Sequence, residues 1–218
     1  MDLFYLGERD YVNGLTLFEE MLKSFIKCFS RKVKLPFLVT NFKVNKFVRH
    51  NAELVYYQSG DIQFYSRLKK ASARIDVETT EDSYILLLFE NNDFPVKRWL
   101  SDYDRSVYIK KAFTDNVGNT TVSLINLNDT YGLLRGIIEA NHRYVTEEAR
   151  KVGGEKSVSF AYLTNFKCLD KIGISQVNDV NFKVTSDFVV YDRRFIIRSF
   201  HIEGLGDDLD SELCFFIS

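Results

Sequence analysis

Asn13–Phe29, with the sequence NGLTLFEEMLKSFIKCF, carries the clearest helical pattern in the chain. Asn13 has the short polar side chain that caps a helix N-terminus. Glu19 and Lys23 can form an i,i+4 ion pair on the polar side of that helix. The apolar residues recur at helical spacing and form a wide stripe, which predicts a helix covered over much of its circumference. These residues are Leu15, Phe18, Leu22, Phe25, Ile26 and Phe29.

Strand patterns follow this helix as far as residue 89. Residues 37–48, 52–58 and 62–66 mix apolar and polar residues in the manner of extended chain. Residues 71–78 alternate between apolar and polar, which is typical of a strand with one buried face. Residues 84–89 are almost wholly apolar, as a central strand would be.

The same order recurs in the second half of the chain. A strand pattern covers residues 121–126, and Asp129 can cap a helix over residues 131–149. Further strands are predicted to begin at Val158, Phe182, Phe195 and Leu213. The second half therefore repeats one long helix followed by several strands.

Two local matches support an internal duplication. Val39–Lys43, VTNFK, recurs as Leu163–Lys167, LTNFK, in the first strand after each predicted helix. Residues 10–15 and 129–133 also match, since an Asp precedes a Gly-Leu pair in both segments. The agreement of both matches with the order of elements favours two diverged copies of one unit.

The predicted organisation is therefore α+β with two units. The N-terminal unit is expected over residues 1–90 and the C-terminal unit over residues 119–218. Residues 91–118 have weak periodicity and several turn formers, so a connector across the surface is expected there.

Composition limits the function. Lys and Arg number 29 against 30 Asp and Glu, which argues against a nucleic-acid interface, because such a surface needs excess positive charge. Cys28, Cys168 and Cys214 are too far apart for a familiar zinc motif, so no metal is expected. No signal peptide or membrane span is visible, and a soluble cytoplasmic protein is expected.

The order of elements resembles the hot-dog fold, in which an antiparallel sheet curls around a long central helix. Two such units in one chain imply a double hot dog with pseudo-twofold symmetry. Hot-dog proteins typically act on acyl thioesters of coenzyme A or of acyl carrier protein. The resemblance therefore implies a thioester substrate, with coenzyme A or phosphopantetheine present only as part of it and no separate cofactor. The sequence leaves the oligomeric state open, a homo-oligomer included.

In this family the site lies between two units, near a helix N-terminus. The unpaired N–H groups of a first helical turn can polarise a thioester carbonyl. Gly14 and Gly132 stand where the two helices begin and could let substrate approach the backbone, although both could simply turn the chain.

Hot-dog thioesterases use a carboxylate ahead of the helix or on its first turns. Asp10, Asp129, Glu19, Glu20 and Glu139 occupy such positions here. A carboxylate there can act as a base toward water or as a nucleophile on the thioester. Each also has a structural explanation: Asp129 as an N-cap, and Glu19 and Glu20 as solvated residues on the polar side of their helix.

Hot-dog dehydratases place a histidine ahead of the helix, and this chain departs from that pattern. Neither helix start has a histidine, and the Gly-His-Phe signature is missing. His142 lies on the second helix near Glu139 and is a candidate, although a histidine on a helix flank is more often structural. The two helix starts also carry neutral hydrogen-bonding groups, which resemble those used by double hot-dog acyltransferase/decarboxylases of polyketide biosynthesis. These groups are Tyr11, Asn13, Asn128, Thr130 and Tyr131.

The sequence thus predicts an enzyme of acyl-thioester chemistry, of thioesterase or acyl-transfer type. At the first helix the expected site residues are Asp10, Tyr11, Asn13 and Gly14, with Glu20 as the base. At the second helix they are Asp129, Tyr131, Gly132 and His142. The alternatives are a non-catalytic module that binds acyl groups or a carrier protein, a dehydratase-like enzyme with a non-standard site, and a helix-grip fold.

Overall fold

A computed structural model describes residues 3–6, 11–58, 67–96, 99–100, 105–151, 158–205 and 211–217. The chain is a mixed α+β protein that forms two compact units. The first unit comprises Met1–Tyr103 with Phe166–Cys168, and the second comprises Asp104–Asn165 with Leu169–Ser218.

The first unit is a long helix with an antiparallel sheet. Its elements are β1 (Tyr5–Leu6), α1 (Gly14–Cys28), β2 (Phe37–Val44), β3 (His50–Gln58), β4 (Ala73–Glu78), β5 (Ser83–Pro95) and β6 (Trp99–Leu100). The main sheet runs in the order β3-β5-β4-β2, and each neighbouring pair is antiparallel. The short strands β1 and β6 pair separately and in parallel.

The predicted covering of α1 is confirmed. Phe18, Leu22 and Phe25 on the apolar stripe are fully buried. The Phe18 ring meets the β2 residue Phe42 edge-on at 5.1 Å between ring centroids, and Phe25 meets the β5 residue Tyr84 at 5.2 Å. The sheet of the same unit thus covers the apolar stripe of α1. A helix covered in this way can carry a wider apolar stripe than a half-exposed helix can.

The second unit repeats the helix-plus-sheet order. After a 3-10 turn at Arg105–Tyr108 its elements are β7 (Ile109–Thr114), β8 (Thr120–Leu124), α2 (Thr130–Lys151), β9 (Val158–Cys168), α3 (Lys171–Ser175), β10 (Asp179–Val190), β11 (Arg193–Ile202) and β12 (Ser211–Ile217). The strands run in the order β9-β12-β11-β10-β8-β7, with antiparallel pairs throughout. Leu133, Leu134 and Ile137 of α2 are fully buried.

The predicted repeat segments occupy equivalent elements. VTNFK lies in β2 and LTNFK in β9, which are the first strands after α1 and α2. Their phenylalanines, Phe42 and Phe166, are both fully buried. The order predicted from the pattern is therefore confirmed at these two positions.

Residues 91–118 carry more regular structure than a surface connector would. They contain the end of β5, all of β6, the 3-10 turn and β7. The short helix α3 was not predicted, because five residues are too few for a helical period to show. The predicted strand over residues 62–66 lies outside the described residues.

Candidate functional site: the two helix entrances

The α1 entrance comprises residues 11–16 and is held by a neutral cap. The Asn13 side chain accepts a hydrogen bond from the Thr16 backbone N–H at 2.9 Å. Ahead of it, the Val12 N–H donates to the Val48 carbonyl at 2.8 Å. The Tyr11 ring packs on Phe47 with centroids 4.5 Å apart. These contacts confirm Asn13 as the N-cap and fix the direction in which the chain enters the helix.

Two backbone N–H groups at this entrance, those of Gly14 and Leu15, have no acceptor within α1. The first intrahelical bond of α1 runs from the Leu17 N–H to the Asn13 carbonyl at 3.0 Å, and the Asn13 side chain takes the Thr16 N–H. Gly14 and Leu15 come earlier in the turn, so their N–H groups have no acceptor within the helix. Both residues are buried, and the first turn holds no acidic side chain. The entrance therefore presents a positive helix end without a neighbouring carboxylate in that turn.

Glu19 was expected on the solvated side of α1, and that prediction was wrong. The residue is only 5% exposed, although Lys23 does pair with it at 3.6 Å between Nζ and Oε2. Glu20, the base favoured by the sequence, is more exposed and binds Lys23 more closely, at 2.8 Å. Glu19 follows Leu15 by four residues, so the two side chains lie on the same face of α1. Along α1, Glu19 is the first residue with a buried carboxylate.

The α2 entrance comprises residues 128–132 and is capped by a charged group. The Asp129 carboxylate accepts a hydrogen bond from the Gly132 N–H at 2.8 Å, which confirms its capping role. Thr130 is buried, and its hydroxyl donates to the Leu169 carbonyl at 3.1 Å and accepts from the Leu169 N–H at 2.6 Å. Asn128 is exposed and Tyr131 is half-buried. The hydrogen bonds of Asp129 and Thr130 thus hold the start of α2 within the second unit.

His142 is not brought to the α2 entrance. Thirteen residues separate it from Asp129, which is about 20 Å along a helix. Its ring is half-buried and meets Phe215 edge-on at 6.2 Å between centroids. Glu139 is paired with Arg143 at 2.9 Å. Asp129 and His142 therefore do not form one site within this helix.

Asp10, the first carboxylate predicted for the α1 entrance, lies outside the described residues. Its position relative to Asn13 and Gly14 stays a prediction.

A buried carboxylate that the sequence did not single out lies on β5. Glu90 Oε1 accepts hydrogen bonds from the backbone N–H groups of Arg49 and His50, at 2.6 and 2.9 Å, and contacts His50 Nδ1 at 2.9 Å. Lys46 Nζ lies 3.5 Å from Oε2. Burial opposes ionisation of this carboxyl group, but the hydrogen bonds and the lysine charge outweigh it, so the pKa of Glu90 lies below its ordinary value. The group anchors the start of β3, where the register with β5 shifts.

Metal ligation finds no support in the described ranges, which contain no group of three or more His, Cys, Asp or Glu side chains placed to hold an ion. The helices of those same ranges are too short or too polar to cross a membrane.

No family model matches the chain, and no curated protein matches it either. Several solved structures are similar. The dehydratase domain of PpsC from Mycobacterium tuberculosis, solved with C12:1-CoA, is 10% identical over 95% of this chain and 84% of that chain, with a TM-score of 0.47. The dehydratase domain of RzxB from Pseudomonas fluorescens is 8% identical over 95% and 84%, with a TM-score of 0.41.

A conserved protein of unknown function with a hot-dog fold, from Alicyclobacillus acidocaldarius, is 9% identical over 95% of this chain and 87% of that chain, with a TM-score of 0.43. With identities of 10% or less and TM-scores below 0.5, these likenesses carry no conclusion about the family or the chemistry of this chain.

Proposed function

We propose that this chain is a double hot-dog protein that binds an acyl thioester at the α1 entrance and hydrolyses it. The observation that carries the proposal is the buried first turn of α1 with its neutral cap. The Gly14 and Leu15 N–H groups there have no helical acceptor, and Asn13 adds no negative charge. A carbonyl oxygen is the ligand that two such donors suit best.

The proposed polarising groups are the N–H groups of Gly14 and Leu15. Hydrogen bonds from them draw electron density onto the thioester oxygen and stabilise the oxyanion formed during attack. The positive end of the α1 dipole acts in the same direction. Tyr11, which is fixed on Phe47 just ahead of the cap, is the proposed side wall for the ligand.

Glu19 is the proposed general base. Its carboxylate takes a proton from water as the oxygen of that water attacks the carbonyl carbon. The resulting tetrahedral intermediate expels the thiolate as the carbon–sulfur bond breaks, and the proton on Glu19 passes to the departing sulfur. The products are a carboxylic acid and a free thiol. Burial of Glu19, one turn after Leu15 on α1, supports this role.

Coenzyme A and carrier proteins present the same phosphopantetheine thiol, so both are candidate donors of the acyl group. An assay with acyl-CoAs of several chain lengths and with matching acyl carrier proteins distinguishes the two. Release of free thiol is measured in each arm. Faster release from the carrier-bound group would assign the carrier protein as the partner.

The test of the chemistry compares Glu19→Gln with Glu20→Gln. Glu19→Gln keeps the size and hydrogen-bonding atoms of the side chain but removes the base. We expect thiol release to fall by about 100-fold or more in this variant. Glu20→Gln removes a neighbouring carboxylate that also pairs with Lys23, so it is the matched control and should keep most of the activity. Equal loss in both variants would rule out Glu19 as the base.

The second candidate function is a binding module without turnover. It is favoured by the contact between Glu19 and Lys23, because the lysine ammonium occupies a carboxylate that would otherwise hold the attacking water. Thermal stabilisation by an acyl-CoA without any thiol release would support this alternative. A dehydratase-like activity is tested in the same assay by adding a 3-hydroxyacyl thioester and following formation of the conjugated double bond.

A further inference from the structure

Arg198 of β11 is buried in the second unit with one donor left over. The residue is 0% exposed. Its Nη1 donates to Asn141 Oδ1 at 3.0 Å, and its Nη2 donates to the Gly118 carbonyl at 3.0 Å and to Thr120 Oγ1 at 2.7 Å. Arg198 Nε has no hydrogen-bond partner in the described part of the chain. The protein groups around the guanidinium therefore leave its Nε–H without an acceptor.

Asn141 of α2, which accepts the bond from Nη1, carries a second unpartnered donor. The residue is also 0% exposed, and its Nδ2 has no hydrogen-bond partner among the described residues. Turning the amide over would not help, because it would place an NH2 group against Arg198 Nη1. The two unpartnered nitrogens thus belong to one buried hydrogen-bonded group. Donors buried in this way are rare, and an ordered water molecule or an ion normally satisfies them.

The positive charge of Arg198 also lacks a counter-charge in this group. An arginine stays protonated at neutral pH, and its three acceptors here are neutral oxygens. The guanidinium carbon lies 4.0 Å from the centre of the Tyr144 ring and 5.2 Å from that of Phe182. These rings attract the cation but carry no net charge. A buried charge is costly unless an opposite charge pairs with it.

The carboxylates beside the next inward arginine of β11 are already paired. Arg194 precedes Arg198 by four residues, so both side chains lie on one face of the sheet. Arg194 holds Asp187 through two hydrogen bonds and lies 3.6 Å from Glu148. Glu148 also binds Lys151 at 2.5 Å. These ion pairs use the charges of Asp187 and Glu148, so Arg198 needs another counter-ion.

We propose that Arg198 and Asn141 bind a small monovalent anion inside the second unit, between β11 and α2. Arg198 Nε and Asn141 Nδ2 are its donors, and its charge balances that of the guanidinium. A water molecule would satisfy the donors but not the charge. Close packing around two fully buried side chains limits the ion to about the size of a water molecule, and chloride comes near that size. This site does not depend on the proposed function.

The test compares melting temperatures of the full chain in sodium chloride and in sodium gluconate at equal ionic strength. Gluconate is too large for the site, so the comparison separates binding of the ion from screening of charges. Asn141→Asp keeps the acceptor for Arg198 Nη1 and replaces the unpartnered Nδ2 by a carboxylate oxygen, so it builds the counter-charge into the protein. Asn178→Asp adds the same charge at an exposed position of the second unit and is the matched control.

We expect the melting temperature of the parent to rise by about 3 °C or more for each tenfold increase in chloride above its dissociation constant, because the ion binds the folded state. Asn178→Asp should show the same rise. Asn141→Asp should melt at a higher temperature than the parent in gluconate, and chloride should raise it no further. In crystals of the parent grown with sodium bromide, anomalous scattering should place the halide within hydrogen-bonding distance of Arg198 Nε.

Equal melting temperatures of the parent in the two salts, or a full chloride response in Asn141→Asp, would overturn the inference. If Asn141→Asp does not fold, the bromide crystals decide. A halide bound by Arg198 Nε and Asn141 Nδ2 supports the site, whereas a water molecule or no density at Nε overturns it.

Discussion

At the scale of single residues, Arg198 on β11 is the most unusual side chain. It is fully buried and donates from Nη1 to Asn141 Oδ1 at 3.0 Å, and from Nη2 to the Gly118 carbonyl at 3.0 Å and to Thr120 Oγ1 at 2.7 Å. Its guanidinium carbon lies 4.0 Å from the centre of the Tyr144 ring. Burial lowers the pKa of Arg198 to about 10, which leaves it charged at neutral pH. The planar group thus joins β11 to α2 and to the start of β8, and none of its hydrogen bonds to the described residues is to a carboxylate.

Arg198→Lys is expected to destabilise the protein by about 3 kcal/mol, because an ammonium group cannot reproduce the planar fork or the stacking on Tyr144. Arg193→Lys, at an exposed position of the same strand, is the matched control and should change the free energy of unfolding by about 0.5 kcal/mol or less. Urea denaturation measures both. Equal effects in the two variants would show that the buried geometry of Arg198 is unimportant.

The carboxyl group of Glu90 should make the stability of the protein depend on pH. Its pKa in the folded protein lies below the ordinary value of 4.5, so its ionised form stabilises the fold above that value. This contribution disappears as the pH falls through the folded-state pKa. Glu90→Gln keeps an oxygen acceptor for the N–H groups of Arg49 and His50 but removes the charge.

Glu90→Gln should therefore have a lower urea midpoint than the parent near neutral pH, and the two midpoints should converge at the acidic pH at which Glu90 is protonated in the folded protein as well. The difference is measured in urea titrations at a series of pH values. A difference that stays constant down to that pH would mean that the charge of Glu90 contributes nothing to stability.

Residue patterns explain which of these side chains could be predicted. Asn13 and Asp129 were found as caps because capping depends on local sequence. Glu19 was misplaced, because its i,i+4 spacing from Lys23 predicts a surface pair whether or not the sheet covers that flank. Arg198 was missed, yet it falls in the inward series of β11 with Ile196, Phe200 and Ile202, and that alternation was a readable signal.

At the scale of elements, the two helix starts differ in the chemistry of their caps. Asp129→Ala removes the oxygen that accepts the Gly132 N–H and should destabilise the protein by about 1 kcal/mol. Asp129→Asn retains an equivalent oxygen and should leave the urea midpoint nearly unchanged. If Asp129→Asn were as destabilising as Asp129→Ala, the charge and not the hydrogen bond would hold the start of α2.

Long elements were predicted well, whereas the short helix α3 and the strands β6 and β7 were not predicted. Helix α1 was expected over residues 15–29 and runs Gly14–Cys28, since its apolar period spans four turns. Residues 91–118 were interpreted as a connector because their periodicity is weak and they contain several turn formers. Strand β7 shows the reason: its pairing with β8 depends on backbone hydrogen bonds, while most of its side chains face solvent.

At the scale of the whole molecule, each unit places a long apolar helix against its own antiparallel sheet. Thus the sequence predicts the helix-plus-sheet order and its repetition. It could not show what packs on the first turns of α2, because Tyr108, which contacts them, is 24 residues away from Gly132 along the chain. A contact between residues so far apart in the sequence leaves no periodic pattern from which it could be predicted.

The proposed function requires an acyl thioester to bind at the start of α1. This is tested most directly by a crystal structure of the protein with a ketone analogue of dodecanoyl-CoA, in which a methylene group between the carbonyl and the sulfur prevents hydrolysis. We expect the analogue's carbonyl oxygen at about 3 Å from the Gly14 and Leu15 nitrogens. A carbonyl bound at the start of α2, or away from both helix starts, would contradict it.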